Sequence, residues 1–135
     1  MEIKKIQFQN HGDARGHLVA AELGKELPFP VKRIYYIFGV KGDQRRGFHA
    51  HKELNQVLIA IAGSCKILLD DGKEQAVVSL SSPDEGLFIG TDTWREMFDF
   101  SENAVLVSLA SEVYDESDYI RNYSDFLKYL EDKQK

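Results

Sequence analysis

Two histidines one residue apart, His49 and His51, are the residues of this chain whose type and spacing most directly suggest chemistry. Side chains two apart on a β-strand leave the same face. A strand here aims both imidazoles into one space and turns Ala50, and Phe48 with it, the other way. Imidazole titrates near neutral pH, so such a pair can take up and deliver protons. The plain alternative for an isolated His-x-His is two surface residues on an exposed strand. Arg45 and Arg46 directly precede the pair, and their clustering favours a site-facing role for at least one. Guanidinium groups bind carboxylates and phosphates bidentately, which makes Arg15, Arg33 and Arg95 further anion candidates. Each of these, taken singly, could equally be a solvated surface residue. Tyr35 and Tyr36 are adjacent in a strand-like run, so only one of them can share the interior with the histidines.

The residues around the pair argue against a metal centre. His49-Ala50-His51 is trailed by Asn55-Gln56 and, after the apolar run Val57–Ala62, by Gly63. Later comes Pro83-x-x-Gly86-x-x-Ile89-Gly90-x-x-x-Trp94-Arg95. The two stretches resemble the paired motifs of the cupin superfamily, whose metal-binding members supply His-x-His, a Glu and a further His. Here Asn55 or Gln56 stands at the Glu position and Arg95 near that of the third His. A metal site needs roughly four neutral or anionic donors. A protonated guanidinium has no lone pair to give and repels a cation. The expectation is a site without metal and without another cofactor.

The elements that must position these residues are short. Runs rich in β-branched and aromatic residues cover Ile3–Phe8, Gly16–Ala21, Val31–Phe38, Gln56–Ile61, Cys65–Leu69, Gln75–Leu80, Gly86–Ile89, Thr93–Phe98 and Ala104–Ala110. Turn signals separate them, and such spacing points to an all-β sandwich or barrel. Asp71-Gly72 predicts a type I′ hairpin, and Gly63 and Asn103 mark similar reversals. Only the C-terminus changes period. Ile120, Tyr123, Leu127 and Leu130 fall on one helical face, with Asp115 or Ser117 as candidate caps. That helix is expected to pack on the outside of the barrel and to carry no chemistry.

Composition sets the outer bounds. At 135 residues with a 43% hydrophobic fraction, the chain suits one domain spanning 1–135. Its net charge of −5 lacks the basic excess of a nucleic-acid binder. No apolar run approaches the ~18 residues of a membrane span, and the start Met-Glu-Ile-Lys-Lys has no signal-like apolar region. Cys65 is the only cysteine, which points to a reducing, cytoplasmic setting.

Read in order, a larger set of blocks becomes specific. These are Asp13-x-Arg15-Gly16-x-Leu18, Lys32–Phe38, Arg46–Lys52, Gln56-Val57-Leu58, Gly63-Ser64-Cys65, Leu69–Gly72 and Tyr114-Asp115-Glu116-x-Asp118-Tyr119-Ile120-Arg121. Together they resemble the sugar-nucleotide 3,4-ketoisomerases, cupin enzymes acting on dTDP-4-keto-6-deoxyglucose, over almost the whole chain. The resemblance implies a cupin fold: a double-stranded β-helix, or jelly-roll barrel, with one C-terminal helix. It implies isomerisation of a dTDP-linked 4-keto-6-deoxyhexose to the 3-ketone, for deoxyamino-sugar and surface-glycan biosynthesis.

By the same resemblance His49 is the carbon acid/base and His51 handles hydroxyl protons or polarises the oxygen, with the two roles exchangeable. Tyr35 or Tyr36 donates to the oxyanion. Arg33, Arg46 and Arg121 contact the diphosphate or thymine, and Arg15, Gln56 and Arg95 complete the substrate contacts. Family members differ in carrying His or Arg after the Trp and in the C4 configuration of the product. This chain pairs Arg15 with Arg95, which fits neither group cleanly and leans to the equatorial product. Family members look like homodimers with exchanged N-terminal strands, which Ile3, Ile6 and Phe8 would suit; the alternative is a strand that closes its own barrel. The competing functions are a related 3,5-epimerase, a non-catalytic sugar-binding cupin and a metal-dependent cupin.

Overall fold

Alternation of inward and outward side chains, legible in most of the strand-like runs, is what the folded chain uses to build two facing sheets. The computed structural model describes all 135 residues. Strands β1 (Lys4–Gln7), β4 (Arg33–Phe38), β6 (Gln56–Ala62), β9 (Glu85–Ile89) and β11 (Val105–Ala110) form one sheet, in the order β1-β9-β6-β11-β4. Strands β5 (Arg46–His51), β7 (Cys65–Asp70), β8 (Gln75–Leu80), β10 (Trp94–Phe98) and β12 (Tyr119–Ile120) form the other, in the order β12-β5-β10-β7-β8. A separate ribbon pairs β2 (Asn10–Asp13) with β3 (Gly16–Val19). Every ladder is antiparallel. The architecture is the all-β cupin barrel, with one C-terminal helix.

The space between the sheets divides into two halves. One half is apolar: Leu58 and Ala60 of β6, Ile67 and Leu69 of β7, Leu87 and Ile89 of β9, Met97 of β10 and Leu106 of β11 form a single buried cluster. Moving two residues along the same strands changes its chemistry. Leu58 gives way to Gln56, Met97 to Arg95, and Leu106 to Ser108, all three of them buried. The functional half of the barrel is thus the continuation of the core's own inward faces. A second cluster, with Phe8, Leu27 and Phe29 over Val57 and Ile59, covers part of the outer surface of the β6 sheet.

Four local expectations are corrected. The helix α1 spans Tyr123–Lys133 and is capped by Asn122, whose side chain accepts from the Asp125 amide at 3.0 Å. Asp115 instead caps a single 3₁₀ turn over Glu116–Asp118. Ile120 lies in β12, where its backbone pairs with Ala50; an apolar strand residue placed three before a helix imitates helical spacing. The Asp71-Gly72 hairpin exists, but Asp70 pairs with Gln75, so four residues connect the strands. Only Gly72 takes a positive φ there, of 90°, and the Asp71 carboxylate closes the turn by accepting from Lys73 and Glu74 amides. The turn is therefore not type I′. Finally, Phe48 does not share the regular outward row with Ala50, because the strand is bulged at this point.

The helix is tied down rather than loosely appended. Phe126 is fully buried against Ala50, Trp94 and Ile120, so α1 covers the outer face of the strand whose inner face carries the histidines. The Tyr123 hydroxyl donates to the buried Asp70 carboxylate at 2.7 Å. At the other end of the chain, β1 pairs with β9 of its own chain. No helix is long and apolar enough to cross a membrane.

Candidate active site

A bulge in β5 sets the geometry of the histidines. His49 pairs with Arg95 across the ladder, yet the next partner, Glu96, pairs with Gly47, which leaves Phe48 as the extra residue. Gly47 and Phe48 hold φ values of 94° and 58°. A Cβ on Gly47 would sit 2.9 Å from the Arg95 carbonyl oxygen, so the close approach of the two strands needs glycine. Phe48 is left half-exposed, while His49 and His51 both enter the barrel and are buried. Their rings meet edge-to-face at 4.8 Å, and Tyr119 of β12 packs on both, at 5.0 and 4.4 Å.

Arg95 lies at the floor of this space with none of its surface exposed. It donates to the Gln56 side-chain oxygen and, at 2.8 Å, to the Thr93 carbonyl, and no carboxylate lies within ion-pair distance of it. Gln56 in turn donates to Ser108 Oγ at 2.6 Å and to the Tyr35 hydroxyl at 3.1 Å. Because Tyr35 accepts in that contact, its own hydroxyl hydrogen is free for another partner. Tyr36, by contrast, is 61% exposed and stacks on Phe38. The alternation of β4 thus selects Tyr35 as the inward tyrosine.

Electrostatics follow from this burial. Burial pushes the pKa of each histidine down to about 3, and the nearby positive charge of Arg95 pushes the same way. Burial also lowers Arg95, to about 10, which leaves it protonated at neutral pH. At pH 7 the site therefore holds two neutral imidazoles beside a fixed cation. Both ring nitrogens of His49, Nε2 of His51, Nε of Arg95 and Nη1 of Arg33 are buried without a hydrogen-bond partner. Buried polar atoms are nearly always paired, so such a concentration marks a place prepared for a polar ligand.

A cavity of about 280 Å³ opens beside them, and Arg33, Tyr35, Arg46, His49, Tyr119 and Arg121 are among its walls. Arg33 lies over the rings of Tyr35 and Tyr114, and Arg121 over that of Tyr119 while paired with Glu116 at 2.6 Å. Arg45 is committed elsewhere, to Glu96 at 3.0 Å and to the Phe98 ring, so of the two adjacent arginines Arg46 is the one at the cavity. Arg15 is not brought here within one chain. It lies in the β2–β3 turn, 90% exposed and paired with Asp13, because that ribbon pairs with neither sheet. Sequence reasoning missed Tyr119, Asp118 and Ser108. The first two belong to the block ending in Arg121, so the signal was present, but only its arginine was taken as functional. No group of three His, Cys, Asp or Glu converges on a metal-sized point, and Arg95 and Gln56 occupy the remaining directions. The donor set does not fit a metal ion.

Comparison with known proteins agrees with this geometry. Residues 1–131 match the family model described as FdtA: WxcM-like, C-terminal. A TDP-4-oxo-6-deoxy-alpha-D-glucose-3,4-oxoisomerase from Aneurinibacillus thermoaerophilus is 52% identical, over 96% of this chain and 94% of its own. The crystal structure of a 3,4-ketoisomerase from Helicobacter canadensis superposes with a TM-score of 0.94 at 50% identity, covering 97% of this chain and 98% of that one. The sugar 3,4-ketoisomerase of Thermoanaerobacterium thermosaccharolyticum, crystallised with TDP, gives the same TM-score at 46% identity, covering 97% and 96%.

Two histidines kept neutral in the fold give a signed pH effect. The unfolded chain binds protons on them below about pH 6.5, whereas the folded chain does not until about pH 3. Stability is therefore full above 6.5 and is lost as the pH falls from there toward 3. Urea unfolding across this window is expected to show a slope that drops by up to about 1.4 kcal/mol per pH unit in His49→Asn. An unchanged slope would mean that His49 is not held neutral.

Proposed function

The chain belongs to the family of TDP-sugar 3,4-ketoisomerases, and on that premise we propose that it converts dTDP-4-keto-6-deoxy-D-glucose to a dTDP-3-keto-6-deoxyhexose by metal-free histidine acid/base catalysis. One observation carries this reading. Two neutral imidazoles stand beside a buried guanidinium that has no carboxylate partner, at a cavity with further arginines on its walls. A base removes the acidic proton on C3, and the electron pair moves onto the C4 carbonyl oxygen to give an enediolate. A proton is then added at C4 while the proton on O3 passes to O4, so the ketone ends at C3, the C4 oxygen becomes a hydroxyl, and there is no net oxidation.

His49 is assigned to the carbon proton and His51 to the hydroxyl protons or to polarising the oxygen. The fixed charge of Arg95 and the free hydrogen of Tyr35 stabilise the developing oxyanion, which makes a Lewis acid unnecessary. Imidazoles held near pKa 3 are weak bases in the empty site. The negative charge that develops on the substrate raises them as the reaction proceeds. Arg33, Arg46 and Arg121, which line the cavity, are assigned to the diphosphate or thymine, with Gln56 holding Arg95 in position. A 3-keto sugar is the substrate class of an aminotransferase, which fits a deoxyamino-sugar route. The single, reduced Cys65 suits the cytoplasm.

A homodimer completes the proposal. Ile34, Tyr36 and Phe38 are each more than 60% exposed along β4, the unpaired edge of its sheet, and such an apolar stripe favours a second copy. The exchanged element is expected to be N-terminal, and the β2–β3 ribbon, which pairs with neither sheet of its own chain, is free to carry Arg15 to a neighbouring cavity. Analytical ultracentrifugation is expected to give twice the 15.4 kDa chain mass; a monomer at micromolar concentration would reject the exchange.

Incubation with dTDP-4-keto-6-deoxyglucose in deuterated water tests the reaction. NMR is expected to show a 3-keto product with deuterium at C4. Label at C3 and C5 would indicate an epimerase instead, and no label a binding protein. In His49→Asn the rate is expected to fall by about 10²–10⁴-fold with the fold retained.

Metal independence has its own measurement. Full activity is expected after exhaustive EDTA treatment, and loss that a divalent ion restores would overturn it.

A further inference from the structure

The two histidines are not equivalent, and the difference lies in a carboxylate outside the cavity wall. His51 Nδ1 is 2.9 Å from Asp118 Oδ2, whereas neither nitrogen of His49 has a partner. The other oxygen of the same carboxylate, Oδ1, accepts the Glu53 backbone N–H at 2.7 Å. The connection continues through the backbone. Lys52 N–H donates to the Asp118 carbonyl at 3.0 Å, and Asp92 N–H donates to the His51 carbonyl at 2.9 Å. Asp118 ends the 3₁₀ turn Glu116–Asp118, so this turn is fastened to the end of β5 by side chain and main chain together.

We propose that Asp118 is a positioning residue that holds His51 in the Nδ1–H tautomer and leaves Nε2 as its proton-accepting nitrogen. An ionised carboxylate can only accept, so the shared hydrogen must sit on Nδ1. In a neutral ring the lone pair then resides on Nε2, which is the His51 atom left buried without a partner. The Glu53 amide donates to the second oxygen and prevents the carboxylate from turning away. The groups facing His51 are His49 on its own strand, Tyr119 beside it, Arg95 from β10, and Arg33 and Arg121 at longer range. None of these supplies an acceptor for Nδ1, so Asp118 alone fixes the tautomer. In the proposed reaction, on which this inference rests, a ring of fixed tautomer can shuttle protons between the substrate oxygens without first rotating. His49, with both nitrogens free, has no such restriction.

Asp118→Asn is the sharpest variant, because the Glu53 N–H retains the side-chain carbonyl and turns the NH2 toward His51. That contact makes Nδ1 an acceptor and moves the hydrogen to Nε2. Nitrogen-15 spectra of histidine-labelled protein at pH 7 are expected to show the Nδ1–H form of His51 in the native chain and the Nε2–H form in Asp118→Asn. Turnover of dTDP-4-keto-6-deoxyglucose is expected to fall by about 10²–10⁴-fold in kcat, with KM changed less than about threefold. A native His51 in the Nε2–H form, or a folded Asp118→Asn variant with native kcat, would overturn the proposal. Should the variant fail to fold, the spectrum of the native chain decides alone. That spectrum needs no substrate, so an inactive native protein would count against the ketoisomerase reading and not against the tautomer.

Discussion

A guanidinium buried in a β-barrel without a carboxylate beside it is the constraint around which this structure is arranged. Removing such a charge from water costs on the order of several kcal/mol unless polar groups replace the lost solvent. Here Gln56 and the Thr93 carbonyl do so in part. Gln56 is then required to be an amide of fixed orientation, because its oxygen faces Arg95 and its nitrogen must find acceptors. Ser108 and Tyr35 are those acceptors, and the free hydroxyl hydrogen of Tyr35 follows from its accepting role. Burial keeps both histidines neutral, and the same charge pushes them the same way. A single buried cation thus reinforces the neutral state of two rings and sets the donor direction of a third side chain. An anion forming in that space would find its counter-charge already in place, with little reorganisation.

The barrel can carry this burden because its interior is divided along the strands rather than between them. The inward rows of β6, β10 and β11 each run from aliphatic residues to polar ones within two residues. The apolar half supplies the burial that stabilises the fold, and the polar half is held rigid by belonging to the same strands. The bulge at Gly47 and Phe48 belongs to this arrangement, since it admits the Arg95 strand close to β5 just before the histidines enter. On the far side of β5, Phe126 and Trp94 enclose Ala50, so the strand bearing the histidines is fixed from outside as well. The C-terminal segment, expected to carry no chemistry, contributes here through packing and through Tyr119, which contacts both imidazoles.

The sequence by itself determined most of the strands, the pairing of His49 with His51 on one face, and that only one of Tyr35 and Tyr36 could face inward. All of these depend on local periodicity or on the chemistry of a side chain, and both are present in the linear chain. Resemblance of the ordered blocks added the reaction class, which no periodicity could supply. Tertiary structure alone decided which arginines meet the cavity. Arg45 and Arg46 are adjacent and alike in sequence, yet one is spent on Glu96 and the other is not. Arg15 could be placed only by knowing that its ribbon joins neither sheet. The C-terminal block misled for a physical reason: Ile120 satisfies a helical spacing while its backbone satisfies a ladder, and only the presence of β5 favours the ladder. The contact between His51 and Asp118 spans 67 positions, and its meaning lies in which nitrogen faces which oxygen. Distances of that kind arise when strands distant in the chain close on one another, and no local pattern encodes them.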